Sequence, residues 1–139
     1  MNQETVVAIP AREPNPLAER LLAKLHEFGM EDQYSILFDP VRQTVARNRN
    51  HLLRQARAVK YRRVCFLDDD VTPLTPNWLS TLLSAQAGTG AGIVSCLETK
   101  DGKTLFGRSA EPAFFGKIVQ VQWWPSFVFL MDIDRKSVV

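Results

Sequence analysis

This sequence predicts an α/β fold in which a mainly parallel sheet carries helices on both faces, and three observations support that expectation. Short apolar, strand-like runs alternate with stretches whose apolar residues recur at helical spacing. The connections between them have the ordinary length of right-handed βαβ units. The third run, RVCFL at 63–67, is apolar without alternation over its last four residues, as a strand covered on both faces should be. A chain of 139 residues with 45% hydrophobic content suits a single domain, 1–139, with its own core.

TVVAIP (5–10) is β-branched and ends at a proline, which cannot continue a ladder, so a buried strand is expected to stop near Ile9. AREPNP then reads as a loop. Leu17, Leu21, Leu25 and Phe28, with Leu22 beside them, mark an amphipathic helix ended by Gly29. YSILFD (34–39) is a second strand, closing at Asp39 before Pro40. Thr44 can cap a helix in which Val45, Leu52, Ala56 and Val59 share one face, while Arg47, Arg49, Arg54 and Arg57 crowd the other sides. After the third strand, Thr75 is expected as N-cap and Pro76 as the first helical residue, with Trp78, Leu79, Leu82 and Leu83 forming the apolar stripe. AGIVSCL (91–97) is a fourth strand. The second half is more strand-rich: a hairpin turn at Asp101-Gly102, an alternating KIVQVQWW, and an apolar SFVFLMDI.

The formal charge of +2 is too balanced for a general nucleic-acid or acidic-membrane binder, so any basic site must be local. Cys65 and Cys96 lie in apolar runs without Cys or His at metal-ligand spacing, which predicts buried reduced thiols. The N-terminus lacks the pattern of a signal peptide, and the most apolar C-terminal segment is far short of the roughly 20 residues that span a bilayer. A soluble, cytoplasmic protein with no transmembrane segment is expected.

Three consecutive carboxylates, Asp68, Asp69 and Asp70, follow the third strand and must repel one another. In extended backbone Asp68 and Asp70 point one way and Asp69 the other. Two carboxylates converging at the carboxyl end of a central strand suit Mg²⁺ or Mn²⁺, with water and substrate phosphates completing the shell. A metal-bound diphosphate is the expected ligand. An acidic turn before a helix is the plainer alternative. Arg47, Asn48, Arg49 and Asn50 stand in the first turns of the second helix, where cations oppose the macrodipole unless something anionic lies near.

VVAIPAREP, the FD that ends strand two, ARNRNHLLRQA and VCFLDDDVTPLTPNWLSTLL, taken in this order, resemble the nucleotide-sugar-binding half of family 2 type glycosyltransferases of GT-A fold. The resemblance covers about residues 5–100 well and the rest loosely. It implies a Rossmann-like, nucleotide-diphospho-sugar transferase architecture and transfer of a sugar from a nucleotide-diphosphate donor to an acceptor hydroxyl. Asp39 corresponds to the acidic residue that reads the base, and Asp68 to the first Asp of the Asp-x-Asp motif, near the ribose. Asp70 corresponds to the last, which holds the divalent ion with help from Asp68. Pro10, Ala11, Arg47, Asn50 and Asp69 join the donor-binding set. The family's general base lies in an element after the strand that SFVFLMDIDRKSVV resembles, so the resemblance implies either a fragment or truncated homologue holding the donor half, or a base that comes from elsewhere. No residue is assigned as the base. Asp132 and Asp134, the nearby acids, fit the strand end. Of Trp123 and Trp124, one is expected in the core and the other is open to a sugar face. DGKTLFGRSAEP is expected as a loop over the donor pocket.

Two other readings use the same residues. VCFLDDDVT also fits the nucleophile loop of haloacid-dehalogenase-like phosphatases, with Asp68 as nucleophile, Asp70 as acid/base, Mg²⁺ between them, and Asp132 and Asp134 standing in for a later acidic pair. The non-enzyme reading is a nucleotide-sugar-binding module whose SFVFLM strand is covered by a partner chain or a second copy.

Overall fold

The computed structural model describes residues 2–11, 14–39, 44–73, 75–95, 99–100, 103–104 and 128–133. In chain order these form β1 (Asn2–Pro10), α1 (Pro16–Glu27), α2 (Met30–Gln33), β2 (Tyr34–Asp39), α3 (Val45–Val59), β3 (Arg63–Leu67), α4 (Trp78–Thr89), β4 (Ile93–Ser95), β5 (Thr99–Lys100), β6 (Lys103–Thr104) and β7 (Val128–Asp132). Cys96, the 101–102 turn, most of the 101–112 loop, Trp123, Trp124 and Asp134 lie outside the described residues.

Each helix boundary has a local cause. Asn15 caps α1, its Oδ1 accepting from the Ala18 amide at 2.9 Å, and Pro16 occupies the first helical position, where no amide hydrogen is needed. Gly29, at φ 70°, takes the left-handed conformation that ends α1 and lets α2 start at Met30. Thr44 caps α3 as expected, accepting from the Arg47 amide at 3.2 Å. Helix α4 starts later than expected. Residues 75–78 form a turn closed by the Trp78 amide on the Thr75 carbonyl at 3.3 Å, so Thr75 and Pro76 precede the helix and Asn77 is its cap.

The five-stranded sheet has the order β2-β1-β3-β7-β4. Strand β1 pairs parallel with β2 and β3, whereas β7 is antiparallel to both β3 and β4. The sheet is therefore mixed rather than mainly parallel. A parallel neighbour needs a crossover that returns the chain to its starting end, and the sequence carries no helical pattern before the last strand to supply one. Strand β7 is also interior, paired on both sides with Leu130 fully buried, so it is not the uncovered strand that a partner chain was expected to mask. Strands β5 and β6 pair antiparallel, with Thr99 opposite Thr104 and Lys100 opposite Lys103.

Helices cover both faces. Val7, Ile9, Cys65, Leu67, Val128 and Leu130 point toward α1, α2 and α4, where Leu21, Leu25, Met30, Leu79 and Leu82 meet them. The alternate residues Val6, Ala8, Val64 and Phe66 point toward Leu52 and Ala56 of α3. Both faces of β1 and β3 are thus apolar, and each large side chain sealed there contributes about 1.5–3 kcal/mol. Leu17 and Val59 depart from the expected stripes, at 48% and 64% exposure. Leu17 lies at the margin of a stripe centred on Ala18, Leu21 and Leu25. Val59 is the last residue of α3, where Tyr61, after the turn at Lys60, packs against the core.

Candidate functional site

Strand β3 ends at Leu67, and Asp69 and Asp70 lie in a turn in which the Val71 amide donates to the Asp68 carbonyl at 3.4 Å, so the extended backbone expected through the three carboxylates is not formed. Leu67 faces α1 and α4, and Asp68, directly after it, falls on the α3 side. Arg49 of α3 donates from Nη2 to Asp68 Oδ1 at 2.9 Å. Asn15, the cap of α1, donates from Nδ2 to Asp69 Oδ2 at 2.9 Å. The positive group that holds the acidic run is therefore, in the first place, the protein's own arginine, with an amide on the opposite side. Asp70 is exposed and has no hydrogen-bond or ion-pair partner among the described residues.

Arg49 is itself seated. Its guanidinium lies 5.5 Å over the Phe129 ring of β7, and Phe129 meets Phe66 of β3 at 5.1 Å between ring centres. Burial pushes the Asp68 carboxyl above the usual carboxylate range. The charge and hydrogen bond of Arg49 pull it back, and repulsion from Asp70 and then Asp69 adds to the rise.

The neighbouring strand ends complete the rim. Pro10, buried at the end of β1, pairs in register with Asp39 at the end of β2. Ala11 is fully buried, and its carbonyl accepts from Asn48 Nδ2 at 3.0 Å. Strands β1 and β3 are neighbours whose onward connections lead to opposite edges of the sheet, β1 to β2 and β3 toward β4. In open α/β sheets, ligands bind at the carboxyl ends of strands at such a divergence.

Within ARNRN the inner residues differ from the expected ones. Arg47 and Asn50 are exposed, whereas Asn48 is fully buried and Arg49 half-buried. Asn48 lies four residues before Leu52 and eight before Ala56, so it continues the buried stripe, a spacing visible in the sequence. Its Oδ1 has no partner among the described residues. The Asn15-Pro16 pair carries the cap-then-proline signature that could have marked the start of α1. For Arg49, a cation near a helix N-terminus called for an anion, and Asp68 is that anion.

Asp132 is not at this rim. Because β7 is antiparallel, Val128 lies opposite Leu67 and Asp132 opposite Arg63, at the amino end of β3. The acid that was to stand in for a phosphatase's second acidic element is thus carried about 16 Å away, five strand residues from Asp68. The Asp68 oxygen bound by Arg49 is also poorly presented as a nucleophile.

Among the described residues no three His, Cys, Asp or Glu side chains converge as a metal cage. Asp70 and Asp68 Oδ2 have no partner among the described residues and are the oxygens that would hold a hard cation through few protein ligands. No helix among the described residues is long and apolar enough to cross a membrane.

No family model matches the sequence, and no curated protein does. Among solved structures the chain is similar to A197 from STIV, with a TM-score of 0.58 and 17% identity over 94% of this chain. It spans 65% of the length of that structure. The likeness is one of fold.

Proposed function

We propose that the chain binds a nucleotide-diphosphate sugar at the rim formed by Pro10, Ala11, Asp39 and Asp68–Asp70, and acts as a metal-dependent glycosyltransferase toward an acceptor hydroxyl. The observation that carries this reading is the gathering of the acidic ends of β2 and β3 beside the end of β1, at the divergence between β1 and β3. The Rossmann-like, GT-A type architecture and a cytoplasmic place of action belong to the same reading.

Asp70, with Asp68, would hold Mn²⁺ or Mg²⁺, which neutralises charge on the departing diphosphate. Asp39 at the end of β2 accepts hydrogen bonds from the base, and Asp68 lies on the ribose side. Asn48 fixes the Ala11 carbonyl and with it the wall of the nucleoside pocket. Arg47 and Asn50, exposed near the start of α3, are free of the core to approach the nucleotide. The general base and the acceptor are unassigned.

The far-rim place of Asp132 counts against the phosphatase reading, and the second reading is a donor-binding module without transfer activity. Thermal unfolding with a panel of nucleoside diphosphates and their sugars, with and without Mn²⁺, tests the binding. A ligand at about 100 times its dissociation constant adds about 2.7 kcal/mol. The shift should need metal and disappear in Asp70→Ala. Turnover of the bound sugar by the purified chain separates the enzyme from the module. A shift with beryllofluoride and none with nucleotides would favour the phosphatase instead.

A further inference from the structure

We propose that Arg49 closes Asp68 to a bare divalent cation, so that the ion enters the site together with a diphosphate rather than ahead of it. The inference rests on the donor-binding reading above and assigns Arg49 as a positioning residue within it.

Two contacts and one unpartnered carboxylate carry it. Arg49 Nη2 occupies Asp68 Oδ1 at 2.9 Å, with the two side chains 24% and 29% exposed, so the pair is partly withdrawn from the solvent that would screen it. A cation approaching Asp68 therefore meets a fixed like charge. Asn15 holds Asp69 at 2.9 Å, so that carboxylate is also engaged. Asp70 alone stands without a partner among the described residues, and one exposed carboxylate binds Mg²⁺ or Mn²⁺ weakly unless phosphate oxygens complete the shell.

The seat of Arg49 explains how the closure is released. Its guanidinium rests on Phe129, which is backed by Phe66, so the arginine is held by packing as well as by its acid. When a diphosphate arrives with the metal, its charge offsets that of Arg49, and the planar fork of donors suits a phosphate as well as a carboxylate. Asp68 is then released to the ion while Arg49 keeps its place on the ring. A plain staple between α3 and the sheet would use the same ion pair without altering the order of binding.

The test is Mn²⁺ binding to the full chain, followed by electron paramagnetic resonance of the free ion, first alone and then with each common nucleoside diphosphate. In the wild type, Mn²⁺ alone should bind weakly and at least about tenfold more tightly with one of the diphosphates. Removing the charge in Arg49→Gln, or in Arg49→Met, which keeps the stem over Phe129, should tighten Mn²⁺ alone by about tenfold and shrink the dependence on diphosphate. Arg49→Lys keeps the charge and should keep Mn²⁺ alone weak. Wild-type binding that is equal with and without diphosphate, and lost in Asp70→Ala, overturns the role of Arg49 and leaves the donor-binding reading standing. Charge-removing variants that fold and bind Mn²⁺ as the wild type does overturn that role as well. No Mn²⁺ binding with any diphosphate overturns both.

Discussion

Asp132 faces Arg63 across the β3–β7 pairing, at the end of β3 away from Asp68. Two acids that follow apolar strands in the sequence thus lie on opposite rims, because the strands that carry them run in opposite directions. Asp132→Asn should leave metal-dependent nucleotide binding within about twofold of the wild type, since a strand length of about 16 Å exceeds the screening length at physiological salt. Asp70→Ala should abolish it. Calorimetric titration of both variants with Mn²⁺ and the best nucleoside diphosphate decides the matter, and equal losses would place the site elsewhere.

Asn48 ties α3 to the end of β1 through the Ala11 carbonyl, from a fully buried position. Asn48→Ala leaves that carbonyl without its donor and opens a small void, so a loss of about 1–3 kcal/mol in chemical denaturation is expected. Asn48→Asp should cost more, because it places a carboxylate where water does not reach. An unchanged denaturation midpoint in both would mean that the start of α3 is held by something other than this bond.

Asn15 does two tasks with one side chain, capping α1 through Oδ1 and holding Asp69 through Nδ2. Asn15→Ala should cost about 0.5–2 kcal/mol through the lost cap. Asn15→Asp preserves the cap but turns a carboxylate toward Asp69, so at neutral pH it should not restore full stability. A variant as stable as the wild type at pH 7 would show that the contact with Asp69 contributes nothing.

The elements that carry the site were legible because their signals are local. Thr44 before ARNRN, the apolar run before the carboxylates and the spacing of Leu21 and Leu25 each depend on residues a few positions apart. The partners were not, because Arg49 and Asp68 are 19 residues apart and Asn15 and Asp69 are 54 apart. Strand direction was hidden for a related reason. An apolar run such as VFLMD reads the same in either direction, so the rim on which Asp132 lies is fixed only by the antiparallel pairing of β7. Asn48 was obscured by its type: a polar residue on a buried stripe reads as surface until its bond to Ala11 is known.

Asp68 is held at a cost to the fold, and its pH dependence should reveal this. Burial, the largest influence, raises its pKa above the ordinary value despite the attraction of Arg49. Between the unfolded and folded pKa values the folded chain binds more protons than the unfolded one, so the contribution of Asp68 to stability falls as the pH rises through that window. Relative to the unfolded chain, the ionised group costs the fold more than its neutral form does. Asp68→Asn, which resembles the protonated acid, should therefore unfold at the same or a higher temperature than the wild type at pH 7, and the difference should vanish at a pH below both pKa values. The same variant should lose metal-dependent nucleotide binding. Stability that does not fall when the residue is changed, joined to binding that does, is the mark of a group kept for its chemistry. A clear drop in melting temperature at pH 7 would instead make the Arg49–Asp68 pair a structural staple and weaken the case for the rim as a binding site.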